Sequence, residues 1–492
     1  MATQAGQTHF PIVIIGSGFG GLGAAIKLKE NGFHDFLILE RAADVGGTWR
    51  DNSYPGCACD VQSHLYSFSF APNPDWSHSF SPQPEIWAYL QKCARDYELL
   101  PYIRFRHNVE EAAWQEAEKC WRIQTSQGVY TAETLIMAAG ALSNPSKPDL
   151  PGLSDFQGEQ WHSAEWRHDY DLRGKRVAVI GTGASAIQFV PQIQPQVGQL
   201  HIFQRTPPWI VPRMDKAFSE RRRRLYRRFP FLQAAHRRFI YLTREFFFQT
   251  FRQPGSLLAR YSRFMALRHL KQSVTDAALR EKLTPKYAVG CKRILVSDDY
   301  LPALAQPNVE LVTDGIREIR SRSIVSNDGA ERPLDAIIFG TGFHVTDMPA
   351  ARYVRGRDGR ALREVWGDSL QAFLGTTHTG FPNLFILLGP HTGLGHNSVV
   401  YMIEAQIEHV VNALCYMRDN QVAQIEPRPE AQAAFEKEVD EGMRGTVWVT
   451  GGCASWYLDK TGRNPTLWPS RTWHFRRRVA PFAAQDYLLT RS

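Results

Sequence analysis

The stretch Pro11–Gly32, PIVIIGSGFGGLGAAIKLKENG, decides the fold. It opens on a short apolar run, Ile12–Ile15, breaks at a glycine-rich turn, and resumes with Leu22, Ala25, Ile26 and Leu28 at helical spacing. Gly16, Gly18 and Gly21 fit GxGxxG, whose glycines allow a tight turn, close approach of backbone to a pyrophosphate, and close packing of helix on strand. The N-terminus of such a helix points free N–H groups at the phosphates. A second apolar run, FLIL, leads into Glu40, 19 residues past Gly21, where the ribose hydroxyls of an adenine dinucleotide need an acceptor. Strand, turn, helix and acid together predict a site for FAD or NAD.

The unit recurs. Val177–Ile180 runs into Gly181, Gly183 and Ala186, a GxGxxA turn. Its second strand, LHIF, ends not in an acid but in Gln204–Arg205–Thr206. An arginine there can pair with a 2′-phosphate that an acid would repel, so the second site is expected to take NADP. TLIMAAG, ending at Gly140, and DAIIFGTGF, with Gly340 and Gly342, read as strands returning to the first sheet. The expected fold class is α/β, with two Rossmann-like dinucleotide-binding domains. Residues 1–145 and 333–492 would form a discontinuous FAD domain, and residues 150–332 the NADP domain. SNPSKPDLP, 143–151, reads as the linker between them, and 214–284 as a helical insertion in the NADP domain.

Composition sets the bounds. With 492 residues, 43% hydrophobic and 22% charged, the chain is an ordinary globular one of two or three domains. No apolar run approaches a membrane span, and MATQAGQTHF has neither the basic nor the apolar part of a secretion signal, so a cytoplasmic location is expected. Seven scattered cysteines read as no disulfide framework, which suits a reducing compartment. The net charge is +8, and much of it falls in ERRRRLYRRF, Glu220–Phe229, and the arginines that follow to Arg263. No nucleic-acid-binding motif accompanies it, and a charge run is read as a solvated helix face. A helix lying on an anionic membrane stays open as an alternative, although no clean polar face is visible beside Phe246, Phe247, Phe248 and Phe251. Those aromatics read as core rather than as substrate tunnel.

One loop remains, GGTWRDNSYPGCACD, Gly46–Asp60. Cys57 and Cys59 are one residue apart, too close for a C-x-x-C pair, and no second Cys/His pair stands nearby, so neither metal nor dithiol chemistry is expected. The loop and the two nucleotide sites resemble the class B flavoprotein monooxygenases, and among them the Baeyer–Villiger monooxygenases. The resemblance rests on Gly46, Gly47, Trp49, Tyr54, Pro55, Gly56 and Asp60, and on FQGEQWHSAEWR, which supplies Phe156, Gly158, His162 and Trp166 of the family's fingerprint. Arg167 departs from it, where the family carries Pro or Asp. KRILVSDDY, FPNLFILLGPHTGLGHNS and SWYLDKTGRN resemble the segments that carry the family's active-site arginine, close over the flavin, and order when NADP binds.

The resemblance implies FAD and NADPH as cofactors, O2 and a ketone as substrates, and insertion of one oxygen beside the carbonyl through a peroxide at the flavin C4a carbon. Oxygenation of nitrogen or sulfur is the alternative. Arg293 and Asp60 become the catalytic pair. The expected cofactor contacts are Gly16, Gly18, Gly20, Gly21, Glu40, Gly47, Thr48, Trp49, Asp60, Tyr66 and Val109 for FAD, with Asn397 in the closing loop. For NADP they are Gly181, Thr182, Gly183, Ala184, Ser185, Ala186, Gln204, Arg205, Thr206, Lys292 and Arg293, with Trp456 in the mobile loop. His162 is read as structural, and Cys57 and Cys59 as small filler residues.

Overall fold

Both glycine units form as the pattern predicts. The computed structural model describes residues 7–491, so residues 1–6 of the N-terminal segment read above lie outside the described residues. His9–Ile15 is a strand, Phe19–Glu30 the helix after the turn, and Phe36–Leu39 the strand leading to Glu40. The second unit repeats this with strand Arg176–Ile180, helix Ala186–Ile193 and strand Gln199–Phe203. Their apolar runs do not alternate, because side chains on both faces of a parallel sheet are covered. Phe36–Leu39 is accordingly buried at every position.

The first sheet runs in the order Val354–Arg355, Val109–Gln115, Cys120–Thr125, Gly128–Met137, His9–Ile15, Phe36–Leu39, Ile103–Arg104, with Leu384–Ile386 also paired to Gly128–Met137. The second sheet is parallel throughout and runs Val309–Val312, Gln199–Phe203, Arg176–Ile180, Ala336–Phe339, Glu159–His162.

That order corrects one expectation. TLIMAAG does join the first sheet, but Ala336–Phe339 of DAIIFGTGF pairs with Arg176–Ile180 and Glu159–His162 in the second. The second unit therefore extends past residue 332 to at least Phe339. The glycine turns show why the two strands look alike. Gly16 has φ +99° and a Cβ there would sit 2.7 Å from the Ala138 carbonyl oxygen. Gly181 has φ +104° and its Cβ would sit 2.4 Å from the Gly340 carbonyl oxygen. Each turn nests against the end of its own sheet's returning strand, so TLIMAAG and DAIIFGTGF are counterparts, one per sheet. The strands that do return to the first sheet afterwards are Val354–Arg355 and Leu384–Ile386.

The insertion is helical: Glu220–Arg228, Pro230–Phe247, Gln249–Arg252, Leu257–Ser273 and Ala277–Leu283. Ser219, Ser256 and Asp276 each cap a helix by accepting a backbone N–H. The aromatic block divides where one core was expected. Phe248 and Phe251 are buried around Trp448 and His396, whereas Phe246 and Phe247 face outward. No helix among the described residues is long and apolar enough to cross a membrane.

The cysteine expectation also needs correction. Cys291 and Cys453 are joined in a disulfide, their Cα atoms 6.2 Å apart across a sequence separation of 162. No spacing rule reaches across that distance; only the fold brings the two segments together. Denatured but unreduced protein is expected to take up iodoacetamide at the five free cysteines, and at all seven only after reduction. Seven labels without reductant, read by intact mass, would show that the cross-link does not form.

Candidate active site

Gly46–Asp60 is the element that positions the site, because it touches both nucleotide units. At its start the Gly46 N–H donates to the Ser17 carbonyl at 3.0 Å, and Gly47 lies against Gly18. Trp49 donates its indole N–H to the Tyr66 hydroxyl at 3.0 Å. At its end Tyr54 and the Ala58 N–H both meet the side-chain oxygen of Gln188, whose amide donates back to the Ala58 carbonyl. Gln188 belongs to helix Ala186–Ile193 of the second unit. The two cysteines straddle this junction: Cys57 packs in the core of the second unit and Cys59 in that of the first. Burial pushes the Cys57 thiol up to about 12 and raises the Cys59 thiol as well, so both stay protonated and inert. Among the described residues no cluster could hold a metal ion.

The loop ends on Asp60, and there the pair anticipated from sequence is formed. Arg293 donates from Nε and Nη2 to the two carboxylate oxygens of Asp60, both at 2.7 Å. This is the bidentate geometry that matches a planar guanidinium to a carboxylate. Burial alone would raise the Asp60 carboxyl, but Arg293 and, behind it, Arg244 hold it below its ordinary value. The charge of Asp60 in turn raises Arg293. Both groups are ionised across the working range of pH.

Sequence reasoning missed the third member. Arg244, from insertion helix Pro230–Phe247, donates to the Gln62 side-chain oxygen at 2.8 and 2.6 Å and to the Asp60 carbonyl at 3.3 Å. Arg244 thus reaches the Asp60 backbone and not its carboxylate, although its charge acts on that carboxyl, and Asp60, Arg293 and Arg244 together sum to one positive charge. Burial lowers Arg244, with Asp60 opposing that shift. Next to it in sequence, Glu245 is buried with His396, Asn397 and Thr472, accepting from Asn397 Nδ2 and Thr472 Oγ1 at 2.6 Å each. The other missed neighbour is Tyr457, fully buried, its phenol raised by burial to about 12 while Arg293 pulls the other way. The disulfide links Cys291, two residues before Arg293, to Cys453, just ahead of Tyr457.

The expected nucleotide contacts fall in three groups. Gly16, Gly18, Gly20 and Gly21 form the first turn, with Gly47, Thr48 and Trp49 on the loop beside it and Tyr66, beyond the loop, hydrogen-bonded to Trp49. Glu40 is buried at the strand end, its oxygens accepting from Ser17 N and Oγ, Ala42 N and Arg50 Nη1. Val109 begins its strand close by, its side chain in the core. Around the second turn Gly181, Thr182, Gly183, Ala184 and Ser185 form an open lip ahead of Ala186. Arg205 is exposed, Thr206 half-buried, and Gln204 buried with its amide on the Lys282 carbonyl. Burial, and then the charge of Arg205, push Lys292 down, so these two cations stand near each other. Two residues fall outside these groups. Asn397 spends its side chain on Glu245, Thr472 and the Ser398 N–H, and Trp456 is half exposed against Tyr457.

The turns fit dinucleotides on an observation of their own. Helices Phe19–Glu30 and Ala186–Ile193 have no side-chain cap and, unlike the uncapped helices Gln83–Asp96 and Pro230–Phe247, which carry Pro in their first turn, each follows a glycine turn. Helix N-terminal N–H groups left uncapped at an open lip are ready for phosphate oxygens.

The sign of the Asp60 shift gives a pH test. A carboxyl with a lowered folded-state value stabilises the fold above its unfolded value near 4, and this stabilisation is lost as pH falls through the folded value. Asp60→Asn should cost about 1–3 kcal/mol at neutral pH, discounted from the figure for fully buried pairs because part of each side chain is exposed. In urea titrations the difference from wild type should shrink as pH drops below about 4. A difference independent of pH would mean that the pair does not form.

Comparisons with known proteins complete the site. Residues 10–350 match the flavin-binding monooxygenase-like family. The chain is 50% identical over 487 residues to a Baeyer–Villiger monooxygenase of Streptomyces coelicolor, covering 98% of this chain and 93% of that one. A cyclohexanone monooxygenase from Rhodococcus sp. Phi1 bound to NADP+ superposes with a TM-score of 0.87 at 28% identity, covering 99% of this chain and all of that one. The structure of OTEMO with FAD and NADP gives a TM-score of 0.88 at 28% identity over 98% and 99% of the two chains. With its two uncapped dinucleotide turns bridged by one loop, and relatives of this identity and coverage, the chain belongs to the flavin-binding monooxygenases of the Baeyer–Villiger type.

Proposed function

We propose that Arg293 is the group that makes oxygen insertion work in this FAD- and NADPH-dependent Baeyer–Villiger monooxygenase, and that Asp60 holds it in position. The observation that carries this reading is the bidentate Asp60–Arg293 pair at the junction of the two units. When bound, the flavin supplies activation of O2 with electrons from NADPH. What the chain supplies is a fixed positive charge. As oxygen adds to a ketone's carbonyl carbon, negative charge builds on the carbonyl oxygen. A preorganised cation in a shielded site stabilises that charge without having to reorganise, as the donors of an oxyanion hole do. Arg293 suits the task because a guanidinium keeps its charge when buried. Asp60 fixes its plane, and Arg244 leaves the trio net positive, so that Asp60 does not neutralise the site.

His162 supports the fold and moves no proton in this reading. It is fully buried, accepts the Ala164 N–H at Nδ1, and burial lowers it to about 4, leaving it neutral. Arg167, the departure from the family fingerprint, is on the surface in ion pairs with Asp169 and Glu159. It touches nothing in the site, so it gives no support to heteroatom oxygenation. The protein incubated with NADPH, O2 and a panel of linear, cyclic and aryl ketones plus a thioether should give esters or lactones by mass spectrometry. Sulfoxide as the sole product would overturn the reading.

Arg205, Thr206 and Lys292 are assigned to the 2′-phosphate of NADPH, on the strength of two neighbouring cations beside an uncapped helix. Losing one charge-assisted contact costs about 1.5–3 kcal/mol, roughly ten- to a hundred-fold in affinity. Arg205→Ala should raise the KM for NADPH by that factor and leave NADH nearly unchanged. Equal losses with both cofactors would show that Arg205 does not read the phosphate.

A further inference from the structure

Insertion helix Pro230–Phe247 is built inside out. Ile240 apart, its inner face is polar: Gln233 reaches the Asn73 carbonyl, Arg237 the His64 and Ser67 carbonyls, Arg244 reaches Gln62, and Glu245 is buried. Its outer face is apolar. Phe231 is 66% exposed, Phe239 64%, Leu242 54% and Phe246 61%. At 100° per residue these four and Ala235 fall within about 80° of arc, one continuous stripe. Phe229, just before the helix, stacks edge-on with Phe231 and extends it. Helix Leu257–Ser273 repeats the pattern, with Leu257 81%, Tyr261 52% and Phe264 57% exposed. A soluble surface does not spend its largest aromatics this way unless something covers them.

Charge says what covers them. Of the chain's 57 Lys and Arg, fourteen lie in residues 221–275, with one of its 49 Asp and Glu, so this segment carries +13 and the rest of the chain −5. That one acid is Glu245, buried inside. Arg221, Arg238, Arg260, Arg263 and Arg268 are exposed and have no ion-pair partner among the described residues. We infer that the outer face of this insertion docks on an anionic lipid bilayer, the aromatics entering the headgroup boundary and the arginines meeting lipid phosphates. A second copy of the chain is a poorer occupant, because two faces of this charge repel. The contact is peripheral, since no helix among the described residues is fit to span.

The test is flotation of the FAD-loaded protein with vesicles of phosphatidylcholine alone and of phosphatidylcholine mixed with phosphatidylglycerol. Wild type should float with the mixed vesicles only, and the bound fraction should fall as salt rises. Phe239→Ser with Leu242→Ser should lower the partition coefficient at least about tenfold. Arg238→Gln should lower it about fivefold, the value of one basic residue near such a surface. Both variants should oxidise NADPH in solution as wild type does, which shows that they are folded. Protein that stays soluble with the mixed vesicles at low salt would overturn the inference. So would serine variants that float as well as wild type, or that change oligomeric state in size-exclusion chromatography while flotation is unaltered; the face would then join copies of the chain.

Discussion

A guanidinium largely withdrawn from water has to be paired, and much of the architecture around this site follows from pairing Arg293. Its partner, Asp60, belongs to a loop that begins on the first glycine turn and ends on the helix of the second. Arg293 itself comes from the second unit. The ion pair is therefore also a joint between the two halves of the molecule, and any shift of one nucleotide unit against the other is felt at Asp60 and Arg293. Removing one partner strands the other charge, which is why such pairs are costly to break even where they add little to net stability. The Cys291–Cys453 bond limits the same joint from the far side, tying the Arg293 segment to the segment that carries Tyr457.

Much of this was legible in the sequence because glycine turns, strand ends and charged residues sit within a few positions of one another. Gly16 and Gly181 announce their turns, Glu40 and Arg205 differ in charge at equivalent places, and Asp60 and Arg293 stand in segments with recognisable neighbours. What was lost was information carried by distance. DAIIFGTGF looked like TLIMAAG because both close a sheet against a glycine turn, and nothing local says which sheet. Cys291 and Cys453 are 162 residues apart, beyond any spacing argument.

The insertion misled for a different reason. Read as a run, Arg221–Phe251 is mixed arginine and phenylalanine with no polar side. Read at 3.6 residues per turn, Arg237 and Arg244 fall opposite Phe239, Leu242 and Phe246. Arg238 and Ile240 apart, the two sides are inverted relative to a soluble helix, so assigning arginine to solvent and phenylalanine to core turns the helix the wrong way round. Arg244 was hidden by the same assumption. Helical phase alone could have found it, had the polar stripe been allowed to face inward.

The role proposed for Arg293 lies in oxygen transfer and not in assembly or cofactor reduction. Its direct test is the Arg293→Ala enzyme, assayed for bound FAD, for flavin reduction by NADPH under anaerobic conditions, and for ester formed per NADPH consumed in air. Expected are full flavin content, reduction within a small factor of wild type, and a rate of ester formation lower by roughly a hundred- to a thousand-fold, as for loss of one preorganised stabilising group. Ester formation at the wild-type rate would contradict that role, and so would a loss confined to flavin reduction with normal ester yield from each reduced enzyme.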